Sequence, residues 1–156
     1  MSLYLLLKLA HIVGAAVLFG TGAGIAFFML MAHRTGDARL IAHTAGVVVI
    51  ADTLFTASAV VLQPITGAAL VLMTGRSLTE GWIALSLGLY LVTGAFWLPV
   101  VWMQLRMRDL ARAAAAAGAP LPPEYHRLWR LWFAFGFPAF GAVLAILWLM
   151  IAKPEF

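Results

Sequence analysis

His11 sits where a histidine is expensive. It lies inside LYLLLKLAHIVGAAVLFGTGAGIAFFMLM, a run long enough to cross a hydrocarbon core ~30 Å thick, for which ~20 mostly apolar residues suffice. Ionisable groups at that depth face a bundle interior, a partner or a cofactor. An imidazole there suits iron or another transition metal, or it stays neutral and donates to a hydroxyl or a carbonyl. Both readings of His11 are open. Lys8 stands three residues before it, and residues three or four apart share a helix face. The same spacing links Asp52, Thr56, Gln63 and Thr66 in a second apolar run, and Ser86, Tyr90, Thr93 and Trp97 in a third.

Lipid-facing positions carry such groups only at a cost, so the stripes are expected to meet inside a bundle. Folding each hairpin about its loop brings His11, Gln63, Thr66, Tyr90 and Thr93 to one depth, with Ser86 nearer the surface. Pro64 removes a main-chain donor beside this cluster. Asp52 falls in the other half of the membrane, close to Thr21 and Gln104. It reads either as interhelical hydrogen bonding, with an arginine as ion-pair partner, or as a proton relay.

Other chemistries find no support. There is no HExxH, no Ser/His/Asp set and no P-loop, and GTGAG in the first run lacks the preceding strand that a dinucleotide site needs. The chain has no cysteine, which excludes disulfides and thiolate ligation. His33, His43 and His126 lie at or near span ends. At ~1.5 Å per residue, His43 is more than ~25 Å from His11 along the membrane normal, so the two cannot share one iron.

The elements that must position these residues are helices. Of 156 residues, 64% are hydrophobic and 10% charged, against about 25% charged in soluble domains. The runs do not alternate as membrane β-strands do, and lipid requires each backbone polar group to be satisfied internally. Four spans are predicted, at about 3–31, 40–73, 82–103 (with a helical extension to about 117) and 130–151. The fold class is all-α, an antiparallel up-down four-transmembrane-helix bundle forming a single domain over 1–156. The first run lacks a basic start and a small-residue cleavage site, so it reads as a retained helix rather than a signal peptide. Gly118 ends the extension, and Pro120, Pro122 and Pro123 make a stiff link.

Arg34, Arg39, Arg106, Arg108, Arg112, Arg127 and Arg130 fall on one side, against Lys8, Arg76 and Lys153 on the other. The positive-inside rule then puts the first and third connections in the cytoplasm and both termini on the extracytoplasmic side. The net charge of +4 therefore reflects topology, and no nucleic-acid partner is expected. Tyr4, Trp82 and Trp148 are expected at the outer interface, and Trp102, Trp129 and Trp132 at the inner one. Gly20 and Gly24 form a GxxxG that permits close helix approach, within one chain or in a homo-oligomer.

The stretches LLLKLAHIVGAAVLFGTG, ADTLFTASAVVLQPITG, FWLPVVWMQLRMRDLA and LWLMIAKP resemble a bacterial family of four-helix integral membrane proteins classed as a domain of unknown function. The arrangement is also similar, more distantly, to the HemJ protoporphyrinogen oxidases and the CopD-like membrane proteins. Lys8 and His11 match their K-x-x-H, ITGAALVL followed by GW matches a second element, and LMIAKPEF matches their C-terminal run. The HemJ resemblance implies that His11 is a haem ligand. The family's functional lysine falls on Ser86 here, its Tyr-His pair near Ala95 and Phe96, and its Asn-Glu-x-Pro on Gly136, Phe137 and Pro138. These departures speak against protoporphyrinogen oxidation.

The functional expectation is a bacterial inner-membrane protein binding haem b through His11, the haem iron ligand. Lys8, Gln63, Thr66, Tyr90 and Thr93 would line the site, and a quinone or another redox partner would exchange electrons with it. The alternatives are a small transporter or channel subunit with Asp52 on its path, and an accessory subunit without a cofactor.

Overall fold

The computed structural model describes residues 2–155. Five helical segments make four membrane-length rods: α1 (Leu3–Thr35), α2 (Ala38–Ala51) continuing through a π-helical turn (Asp52–Thr56) into α3 (Ala57–Met73), α4 (Gly81–Ala117) and α5 (Pro123–Ala152). Each rod is long and apolar enough to cross a membrane. Among the described residues there is no strand.

The rods run further than the apolar runs alone suggest. Hydropathy marks where lipid ends, whereas helices end where capping groups stop them. Gly36 takes a left-handed φ of 66° that closes α1, and the Asp37 carboxylate at once accepts from the Arg39 and Leu40 amides to start α2. Hence the connection, residues 32–39 by the predicted spans, narrows to a two-residue corner. Gly118 closes α4 in the same left-handed way. Pro123 then opens α5 at the first helical position, where a missing N–H costs nothing. The fourth rod thus starts seven residues before Arg130. At ~1.5 Å per residue, the 37 residues of α4 span about 55 Å, so its arginine-rich end projects beyond a ~30 Å hydrocarbon layer.

Packing differs between the two halves of the bundle. At the arginine-rich end a shared core is built from Ile25, Met29, Ile41, Ala45, Met107 and Tyr125, with Trp129 and Trp132 buried among them. These two tryptophans are core residues and not interface anchors, which corrects the sequence reading. Trp102 and Trp148 are exposed, as an interfacial ring requires. At the terminal end the buried set is small and scattered: Gly14, Ala59, Thr66, Ile83, Ser86, Ala142 and Leu149. There α1 packs on α3 and α4 on α5, while α3 and α4 approach each other little.

Candidate functional sites

In the terminal half, α1 and α3 interlock through a reciprocal pair of glycines. Gly14 is buried where a Cβ would overlap the Gln63 amide, and a Cβ on Gly67 would come within 3.2 Å of His11 Cε1. Each glycine admits the other helix's polar side chain. Gln63 Nε2 donates to the His11 carbonyl at 2.8 Å, and His11 Nδ1 lies 2.9 Å from Thr66 Oγ1.

The Thr66 hydroxyl fixes the imidazole tautomer. Its oxygen also lies 2.8 Å from the Leu62 carbonyl and 3.2 Å from that of Gln63. An oxygen–oxygen contact of that length needs a proton between the atoms, and a hydroxyl has one to give. It goes to the carbonyls, so Thr66 accepts from Nδ1–H and Nε2 is left with its lone pair. A ring oriented through Nδ1 with Nε2 free is the arrangement of metal-ligating histidines.

Tyr90 reaches the same region from α4 by another route. Pro64 cannot donate to Val60, the residue four before it, and the Tyr90 hydroxyl donates to that Val60 carbonyl instead. The remaining expected site residues do not join the cluster. Thr93 donates back to Leu89 and Ser86 to Trp82, each one turn earlier in α4. Lys8 is exposed, with its ammonium 5.8 Å from the Tyr4 ring. His11, Gln63 and Thr66 are therefore brought together, Tyr90 braces the backbone beside them, and Lys8 and Thr93 stand apart.

A second polar centre forms around Asp52, which is only 5% exposed. It opens the π-turn, in which the Ala57 amide reaches back five residues to the Asp52 carbonyl. Such turns are rare and recur at functional sites. Trp97 Nε1 donates to Oδ1 at 3.4 Å. Oriented with its nitrogen toward the carboxylate, the Gln104 amide donates to Oδ2 at 3.3 Å and accepts from Trp132 Nε1 at 3.3 Å. The opposite orientation sets oxygen against oxygen and N–H against N–H. Thr56, one turn on from Asp52, is buried with no hydrogen-bond partner for its hydroxyl.

The expected arginine partner of Asp52 is absent. Among the described residues the ion pairs are Arg76–Glu80, Arg106–Glu124 and Arg108–Asp109, all at the ends of the rods where the long basic side chains reach water. Gln104 stands beside Asp52 as the depth argument requires, whereas Thr21 lines a separate groove of about 730 Å³ between α1 and α2, along with His43 and Thr44. Trp132 is the member that sequence reasoning missed. A buried indole N–H needs an acceptor, and Gln104 is the polar residue at its depth on α4.

Near the arginine-rich end His33 stacks on Trp129 at 4.0 Å between centroids, and its Nδ1 lies 3.3 Å from the Tyr125 hydroxyl. This cluster ties α1 to α5. Among the described residues no group of three or more His, Cys, Asp or Glu side chains is placed to hold a metal ion.

Four apolar rods with polar groups turned inward define an integral membrane protein of the helical class. More particularly, the chain belongs to the family described as "Predicted integral membrane protein (DUF2269)", whose model matches residues 5–154. No curated protein and no solved structure matches it.

Proposed function

We propose that this protein binds b-type haem in the terminal half of its bundle, with His11 as the residue that would hold its iron, and that it serves in membrane electron transfer. The observation that carries the reading is the His11–Thr66 pair, which presents an unprotonated Nε2. Two features support it. The K-x-x-H of Lys8 and His11 resembles that of haem-binding membrane proteins, and α3 and α4 lie apart at this end instead of sharing a core.

The residues fit an imidazole-ligated group. Bound haem would supply one-electron exchange at iron. Thr66 orients the ligand, Gln63 locks α3 to the His11 backbone, and Tyr90 keeps the Pro64 region of α3 satisfied. Lys8, on the exposed face one turn from His11, would offer a counter-charge to a propionate. By the distribution of arginines this end faces outward from a bacterial inner membrane, where a quinone dissolved in the bilayer is an accessible electron partner.

The test is a visible spectrum of detergent-purified protein, oxidised and dithionite-reduced, beside His11→Ala. The reading expects a Soret and an α band in wild type that vanish in the variant. Colourless wild-type protein from haem-replete cells overturns it.

A further inference from the structure

We infer that Asp52 and Thr56 form a proton-binding site within the membrane, at which the Asp52 carboxyl gains and loses a proton while Thr56 serves as its partner in both states. The inference rests on the roles left to the surrounding groups and is independent of the haem reading.

Each neighbour of the carboxyl can do one thing only. The Trp97 indole N–H is a donor and never an acceptor. The Gln104 amide donates to Oδ2 while its oxygen is engaged by Trp132, so it too acts as a donor. Two neutral donors suit a carboxylate. To a carboxylic acid they still donate through its remaining lone pairs, but they supply no acceptor for its O–H. A hydroxyl both donates and accepts, and the Thr56 hydroxyl is buried, on the carboxyl's side of the π-turn and without a partner. Its oxygen faces the carboxyl without completing a hydrogen bond of good geometry to it, and a χ1 rotation or one bridging water completes the contact. It accepts from the acid and donates to the anion.

Nothing ionic competes for the carboxyl. No charged side chain of α1, α2, α3, α4 or α5 among the described residues faces Asp52, and the polar groups turned toward it are Thr56 from its own rod and Trp97 and Gln104 from α4, with Trp132 of α5 behind Gln104. With no counter-ion, the centre is neutral when protonated and carries a full charge when not. The reaction is a simple transfer: the carboxylate takes a proton from hydronium and leaves water, and the reverse step returns it. Any process that changes charge inside the bundle is thereby coupled to a proton at Asp52.

The experiment is an infrared titration of the full chain in lipid bilayers, following the C=O stretch of protonated carboxylic acid across pH. Wild type minus Asp52→Asn isolates the Asp52 band; should that variant fail to fold, ¹³C-labelled aspartate in an Asp37→Asn/Asp109→Asn protein, where Asp52 is the one aspartate left, identifies it by isotope shift. The expected result is a band that disappears reversibly as pH rises. Thr56→Val is expected to shift its midpoint to higher pH, because the anion loses a donor. A band present at every pH, or absent at every pH, overturns the site. A Thr56→Val midpoint equal to wild type overturns the role of Thr56.

Discussion

The Tyr90 hydroxyl donates to the Val60 carbonyl, the acceptor that Pro64 leaves without its helical partner. One side chain of α4 thus repairs a defect written into α3, at the end of the bundle where the two rods otherwise approach little. In lipid no water stands in for a missing donor. Tyr90→Phe should therefore destabilise the protein by about 1–3 kcal/mol, the usual cost of stranding a buried polar group. Pro64→Ala restores an N–H to the Val60 carbonyl, so in that background Tyr90→Phe should cost much less. Thermal unfolding in detergent over the four variants of this cycle measures the coupling. Additive effects would mean that Tyr90 does not compensate Pro64.

The two glycines that interlock α1 with α3 differ from those elsewhere in α1. An alanine at position 14 meets the Gln63 amide, whereas one at position 20 meets nothing within 4 Å. Glycine inside a helix costs roughly 0.5–1 kcal/mol relative to alanine, so Gly20→Ala should be neutral or stabilising. Gly14→Ala should lose that gain, because the flexible Gln63 side chain swings aside and gives up its bond to the His11 carbonyl. Melting temperatures of the two variants, each in a Gln63→Ala background as well, separate the effects. If Gly14→Ala destabilises equally with and without Gln63, the amide is not what the glycine accommodates.

How far the sequence could be read follows from what each signal reports. Span number and helical class were legible because lipid imposes a length and a hydropathy on every rod. The pairing of His11 with Gln63 followed from hairpin folding, since depth is fixed by counting residues from a loop. Rotation about the helix axis is not fixed that way. Thr93 shares the depth of the cluster yet turns back to its own backbone, and Lys8 shares a face with His11 yet stays exposed near Tyr4. The π-turn at Asp52 was hidden for a related reason: it inserts one residue and rotates all that follows, with no Pro or Gly to announce it. Trp129 and Trp132 looked like a membrane belt, but α5 starts at Pro123, stacks Trp129 on His33 and lets the Trp132 indole donate to Gln104.

The turn between α3 and α4 carries its own pH dependence. Arg76 donates to Glu80 at 2.7 Å, and the Ser77 amide also points at that carboxylate. Chiefly through the Arg76 bond, the Glu80 carboxyl is held below the ordinary glutamate range. A depressed folded-state value means that the contribution is complete above the unfolded pKa and is lost as pH falls through the folded one. Protection of the Ser77–Gly81 amides against hydrogen exchange, taken relative to the unfolded-chain rate at each pH, should therefore fall at acidic pH in wild type. In Arg76→Ala that loss of protection should begin at higher pH, nearer the ordinary glutamate value. The pair is solvent-accessible, so added salt should narrow the difference. Identical profiles in both proteins would show that the turn is held by Ser77 and Thr79 alone.

The Thr66 hydroxyl tests whether orientation of His11 matters as well as its presence. Thr66→Val keeps the shape of the side chain and removes the acceptor of Nδ1–H. The ring is then free to change tautomer, placing its proton on Nε2, or to rotate away from position 66. Partners behind a metal-ligating histidine typically alter metal affinity about 10–100-fold, so under the proposed haem-binding function the haem retained through purification should fall by a similar factor while the helical circular dichroism is unchanged. Thr66→Ser keeps the hydroxyl and should retain haem. A fully coloured Thr66→Val protein with wild-type bands would mean that the imidazole is positioned by the close fit against Gly67 alone, and Gly67→Ala would then be the variant that empties the site.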